Sequence, residues 1–212
     1  MPRTPTTTPA PPAAPARRPS LLIRPGEYAD HRAVKAFVRH HPDWMDQPPG
    51  EAAAAGCTLV PNLGVVERGH PVTWLLLEDG ILRSCALVTK DRMRTPRWDP
   101  KPGGALWIGH LYERRDAGAQ GYGALLIDWL LDYGAQQRVR WLAAHSFDGP
   151  LAGHLGERYG LEVVHDTTPG ASLFILRRKA KRLPRLASAV RTQLPPCVLR
   201  RQARTTELPR AD

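Results

Sequence analysis

Apolar residues recur along this chain in two rhythms, and each change of rhythm marks a new element. Leu21-Leu22-Ile23-Arg24 is a short run stopped by Pro25-Gly26, which predicts a first strand. Tyr28 to His40 follows with Tyr28, Val34, Phe37 and Val38 spaced to share one face of a helix. From Pro42 to Pro71 the pattern dissolves into loop, with only the alanine-rich Glu51 to Cys57 suited to a short helix. Val72 to Leu77 and Ile81 to Val88 read as two strands. Between them Glu78-Asp79-Gly80 supplies an Asp-Gly pair, which adopts the positive φ angles of a tight hairpin. Ala105 to Glu113 predicts a further strand, and Leu125, Leu126, Trp129, Leu130 and Tyr133 then recur at helical spacing, with Gly134 placed to end that helix in the left-handed conformation. Val139 to His145 is the next strand, and Pro150 to Tyr159 a short helix with Leu151, Ala152, Leu155 and Tyr159 inward. Leu161 to Asp166 and Ser172 to Leu176 close the series as strands around Thr167-Thr168-Pro169-Gly170. The predicted order is β-α-(α)-β-β-β-α-β-α-β-β, a mixed α/β arrangement.

Composition limits what this series can build. A chain of 212 residues, 42% of them apolar, carries one core and no second domain of ordinary size. The domain is expected over residues 21–176. Residues 1–20 hold seven prolines and almost nothing to bury, which predicts a disordered Pro/Ala/Thr/Arg tail and excludes a signal peptide or a transit helix. The longest apolar candidate, Ala124 to Leu131, is interrupted by Asp128 and falls far short of a membrane span. Cys57, Cys85 and Cys197 are too far apart for a disulfide framework or a zinc knuckle, so we expect a cytoplasmic protein with no metal.

The net charge of +10 changes meaning once it is located. Residues 177–212 hold eleven Arg and Lys against Glu207 and Asp212, whereas residues 21–176 hold 16 basic and 18 acidic side chains. The globular part is therefore slightly acidic, which argues against nucleic-acid binding through the folded surface. The C-terminal segment reads as a basic, mostly disordered tail, suited to weak, salt-sensitive contact with polyanions. Within it Arg185 to Leu194 can form a short helix with Leu186, Val190 and Leu194 along one face.

The most informative segment is Gly118-Ala119-Gln120-Gly121-Tyr122-Gly123-Ala124, between a predicted strand and an amphipathic helix. Its glycines let backbone approach a ligand closely, and the first-turn amides of the helix, which lack internal partners, present donors to an anion such as a diphosphate. The spacing G-x-x-G-x-G is not the dinucleotide fingerprint, and no Lys-Ser or Lys-Thr follows to complete a nucleoside-triphosphate loop.

This turn, with the preceding strand Leu106 to Glu113 and the later Tyr159-Gly160-Leu161, resembles the GNAT N-acetyltransferase superfamily, whose acyl-CoA motif is Q/R-x-x-G-x-G/A. The resemblance covers residues 21–176 and implies a central mixed sheet of about 6–7 strands flanked by about four helices. It implies acetyl-CoA or a short acyl-CoA as co-substrate, bound by Leu111, Tyr112, Gly118, Ala119, Gln120, Gly121, Tyr122, Gly123 and Ala124. Two positions depart from the family pattern: the motif's Gln or Arg is Gly118, and the tyrosine that often serves as general acid is Gly156.

The implied chemistry is direct attack of a primary amine, on a small molecule or a peptide, upon the thioester. Such a reaction uses a base, an oxyanion donor and an acid. Glu113, ending the strand that faces the cofactor in this family, is the expected base, and His145 at the end of the next strand is the second candidate, since imidazole titrates near neutrality. His110 and Tyr112 share a strand face and can line the site, while Tyr159 is the phenol nearest the vacant acid position. Trp98 and the basic residues of Thr89 to Gly104 can meet a flat or acidic ligand. The alternative is a catalytically weak GNAT-like fold that binds acyl-CoA, or nothing, and acts as an interaction module that contacts polyanions through its basic tail.

Overall fold

A computed structural model of the chain describes residues 19–40, 63, 70–90, 104–114, 121–168 and 171–194. In chain order the elements are β1 (Leu21–Pro25), a 3-10 turn (Tyr28–Asp30) running into α1 (His31–His40), β2 (Val72–Glu78), β3 (Ile81–Lys90) and β4 (Ala105–Glu113). There follow α2 (Tyr122–Gln136), β5 (Trp141–Ser146), α3 (Gly149–Tyr159), β6 (Glu162–Thr168), β7 (Ala171–Lys179), α4 (Pro184–Ala189) and β8 (Val190–Thr192). The strands form one mixed sheet in the order β6-β7-β5-β4-β3-β2-β1-β8. Among the described strands, only β4–β5 and β1–β8 are parallel pairs. The β2–β3 hairpin turns on Asp79 and Gly80 at φ 49° and 82°, the positive pair that its sequence predicts.

Helices cover both faces. Leu126, Ile127 and Leu130 of α2 and Ala152 and Leu155 of α3 pack with Ile23, Leu76, Leu106, Ile108, Leu142 and Leu176 on one face. On the other, Val34, Phe37 and Val38 of α1 meet Leu75, Cys85, Leu87 and Tyr112. Tyr28, expected on the α1 core face, is 81% exposed instead. The Asp30 carboxylate takes two hydrogen bonds from Arg24 of β1, at 2.6 and 2.7 Å, and one from the Glu27 amide, so Tyr28 lies in a tethered 3-10 turn ahead of the helix.

Gly134 does not end α2. The helix continues to Gln136, and the left-handed residue is Arg138 at φ 56°. A Cβ on Gly134 would lie 3.4 Å from Leu106 Cδ1 and 3.5 Å from Ala180 Cβ, so close packing accounts for this glycine.

The boundary expected at residue 176 is passed by described structure: β7 runs to Lys179, and α4 and β8 follow. Pro184 sits in the first turn of α4, where its missing N–H does no harm. Leu186, Val190 and Leu194 do pack against the core, though through a helix followed by a strand. Two anchors on α2 hold the segment: Asp132 accepts from Arg182 Nε at 2.9 Å and the Leu183 amide at 2.7 Å, and Trp129 Nε1 donates to Thr192 Oγ1 at 2.9 Å. A compositional reading misses this because Arg182, Arg185 and Arg191 are exposed while three apolar side chains pack inward. The expected helix at Glu51 to Cys57, the basic loop Asp91 to Gly103, and residues 1–18 and 195–212 lie outside the described residues.

Among the described residues, no helix is long and apolar enough to cross a membrane, and no group of three or more His, Cys, Asp or Glu is arranged to hold a metal ion.

Candidate active site

The site is set by a fault in β4. Leu87 of β3 pairs with His110 and Val88 with Ile108, so Gly109 is an extra residue that bulges out of the ladder. On its other side β4 pairs with β5 only from Ala105↔Trp141 to Trp107↔Ala143. Beyond the bulge the two parallel strands part, leaving an opening between His110–Glu113 and Ala144–Ser146.

The bulge also decides which side chain faces where. Leu106, Ile108, Leu111 and Glu113 point to the α2 side, whereas Ala105, Trp107, His110 and Tyr112 point to the opposite side. Leu111 and Tyr112 are thus buried in different cores.

On the α2 side, Glu113 is 6% exposed and fully engaged. Its Oε1 accepts the Gly123 amide of α2 at 3.0 Å, and its Oε2 accepts Arg158 Nη2 of α3 at 2.6 Å and the Tyr159 hydroxyl at 3.4 Å. The Arg158 guanidinium also lies 5.2 Å from the centroid of the Tyr159 ring. The structure therefore brings Glu113 and Tyr159 together, as parts of one clamp joining β4, α2 and α3.

The start of α2 carries the glycine motif. Gly121 is its N-cap at φ 66°, ψ 44°, a left-handed conformation that favours glycine, and it has no side chain of its own to cap the turn. Tyr122 is held by its hydroxyl, which donates to Glu78 Oε2 at 3.0 Å, and Glu78 in turn pairs with Arg83 at 2.8 Å. Gly123 is explained by a neighbour: a Cβ there would stand 2.8 Å from Glu113 Oε2 and 3.2 Å from the Tyr159 hydroxyl. Gly118, Ala119 and Gln120 lie outside the described residues.

On the opposite side, His110 stacks with Tyr112, ring centroids 6.3 Å apart, and His145 meets Phe147 edge-on at 5.7 Å. His145 shares the face of Ala143 and pairs with Ile175 of β7. Burial pushes the His145 imidazole below its ordinary pKa, and the nearby charge of His110 adds to that shift. His145 and Glu113 are thus on opposite faces of the sheet, and the structure does not bring these two together.

Gly156, where the family's phenol is expected, abuts β6: a Cβ would fall 2.7 Å from Val163 Cγ2 and 3.0 Å from the Leu161 carbonyl oxygen. Glycine at this position lets α3 approach β6 closely. Arg158, Arg83 and Glu78 were not singled out by the sequence. Arg158 is far in sequence from Glu113, and Glu78 from Tyr122, so only the fold joins them, whereas Arg83 meets Glu78 across the β2–β3 hairpin.

No family model matches the chain, and no curated protein does. Solved structures do. An aminoglycoside N-acetyltransferase of type AAC(6')-Iy, determined with CoA, superposes with a TM-score of 0.52 at 13% identity, over 73% of this chain and 96% of that one. The aminoglycoside N(6')-acetyltransferase of Legionella pneumophila gives 0.53 at 12% identity, over 78% and 95%. Aminoglycoside acetyltransferase AAC(6')-Ib, with coenzyme A and kanamycin, gives 0.50 at 14% identity, over 80% and 98%. The fold of this chain is that of the GNAT acetyltransferases.

Proposed function

We propose that this protein is an acyl-CoA-dependent N-acyltransferase that transfers an acetyl or short acyl group to a primary amine by direct attack. The observation that carries the reading is the parted β4–β5 pair, with helix-start amides on one face and two imidazoles on the other. The start of α2 fits an anionic group, since its Gly123 amide already holds a carboxylate. Amides of Gly121, Tyr122 and Ala124 are the described groups that would receive the diphosphate of acyl-CoA, together with Gly118, Ala119 and Gln120 of the motif. The thioester, when bound, supplies an activated acyl carbonyl.

His145 takes the role of base in this reading, in place of Glu113. A lowered pKa keeps the imidazole neutral at pH 7, able to accept the proton released as the amine attacks. Glu113 faces the other core and has three donors already on its oxygens. Tyr159, engaged with Glu113, is likewise turned away from the imidazole side. The leaving group is a thiolate, which is much less basic than an alkoxide and needs no strong acid to depart.

Acceptors named for the neighbours support an amine substrate: kanamycin accompanies one of the aminoglycoside enzymes above, and an agmatine N-acetyltransferase superposes with a TM-score of 0.50 at 11% identity. The test is thiol release from acetyl-CoA with a panel of aminoglycosides, polyamines and peptide N-termini. Turnover with any of these is expected. Absence of both turnover and CoA binding would remove the enzyme reading, and CoA binding without turnover would favour an acyl-CoA-binding module.

A further inference from the structure

Glu113 occupies the place where a ligand's negative charge is wanted. Its carboxylate lies against the first turn of α2, accepting one of the amides that helix geometry leaves without an internal partner, at the end where the helix dipole favours an anion. Gly123 lacks a Cβ exactly where that carboxylate approaches, so the turn is shaped around an anion that belongs to the protein. Arg158 balances the charge from the solvent side: its side chain is 37% exposed, against 7% for that of Glu113. A second acid–arginine pair, Glu78 with Arg83, reaches the same turn through the Tyr122 hydroxyl.

We infer that Glu113 is a resident anion of the α2 turn, which the diphosphate of acyl-CoA must oppose or displace, and that Arg158 exchanges its carboxylate partner for a phosphate oxygen as the ligand binds. This rests on the acyl-CoA reading above. Glu113 is then a positioning residue that sets affinity. While it sits on the Gly123 amide, an isolated phosphate or diphosphate meets a like charge with little else to hold it, whereas acyl-CoA brings contacts along the whole opening. Arg158 also supplies positive charge near the turn, where the motif has Gly118 in place of Gln or Arg.

The test is calorimetric titration of the full chain with CoA and, separately, with inorganic pyrophosphate, on the wild type and on Glu113→Gln and Arg158→Gln. Folding is checked by circular dichroism. Removing one like charge a few ångströms from the diphosphate is expected to tighten CoA binding by about tenfold in Glu113→Gln, and losing the cation to weaken it by about as much in Arg158→Gln. Pyrophosphate binding should become measurable only in Glu113→Gln. Unchanged or weaker CoA binding by folded Glu113→Gln would overturn the exchange while leaving the acyl-CoA reading intact. Failure of all three proteins to bind CoA, with pyrophosphate captured by Glu113→Gln, would sink the acyl-CoA reading and the exchange with it, and leave Glu113 only as the resident anion of the turn. If Glu113→Gln does not fold, the Gly123 amide resonance of the wild type decides: movement on adding CoA supports exchange, and no movement during saturable binding overturns it.

Discussion

The two faces of β4 past its bulge are built on opposite plans. On the α2 side the described acidic and phenolic side chains near the opening are tied down, with Glu113 joined to Gly123, Arg158 and Tyr159, and Tyr122 to Glu78. On the other side the imidazoles of His110 and His145 make ring contacts, and burial holds one of them below its ordinary pKa. The first plan suits gripping a ligand of fixed shape. The second suits moving a proton, because a carboxylate that already holds three donors, one of them a guanidinium, is a weaker proton acceptor than a neutral imidazole.

The sharpest way to break this contrast is to exchange the bases. His145→Gln is expected to slow acyl transfer by about 10²–10⁴-fold, the loss typical of a general base, with CoA affinity retained. A loss of that depth in saturated Glu113→Gln, with His145→Gln unimpaired, would move the chemistry to the α2 side. Thiol release under saturating acetyl-CoA and amine measures both.

Packing separates the faces by a smaller amount. Gly123→Ala drives a methyl group to 2.8 Å from Glu113 Oε2, whereas at Gly109 the nearest atom to a new Cβ is Leu87 Cδ2 at 3.8 Å, an ordinary contact. Overpacking of the first kind is expected to lower stability by about 1–3 kcal/mol. Gly109→Ala should fall well below that in denaturant melts. Equal losses would mean that the α2 side yields as readily as the bulge.

The smallest effect concerns pH. Since the folded His145 pKa is lowered, the neutral base persists below the usual imidazole value of about 6.5, and the rate should fall only as pH drops through that lowered value. His110→Gln removes the lesser cause of the shift, so the acid limb of kcat/KM should move up slightly. A limb above 6.5 in the wild type would contradict a desolvated imidazole as base.

Regular patterning made much of this fold legible. The bounds of β4 and the Asp79-Gly80 hairpin follow from apolar runs and turn chemistry, both local properties. What local pattern cannot carry is the face of a side chain beyond an irregularity. Counting by twos from Trp107 puts Glu113 with Ile108 on the α2 face only if Gly109 is skipped, and nothing in Ile108-Gly109-His110 dictates which residue bulges. The Glu113–Arg158 pair was hidden for the same reason, being made by α3 returning to the sheet. In the C-terminal segment, arginine content outweighed three apolar residues that a fold with an open edge can use.

That edge gives β8 a consequence of its own. During synthesis β1, with its run Leu21-Leu22-Ile23, exists long before Val190 is made, and its outer backbone groups then invite pairing with any extended chain nearby. Once β8 adds to it in parallel, the outermost strand is Val190-Arg191-Thr192, short, with Arg191 and Thr192 exposed. A charged three-residue border is a poor template for further strands, so β8 makes this edge of the sheet resistant to growing sideways into aggregates.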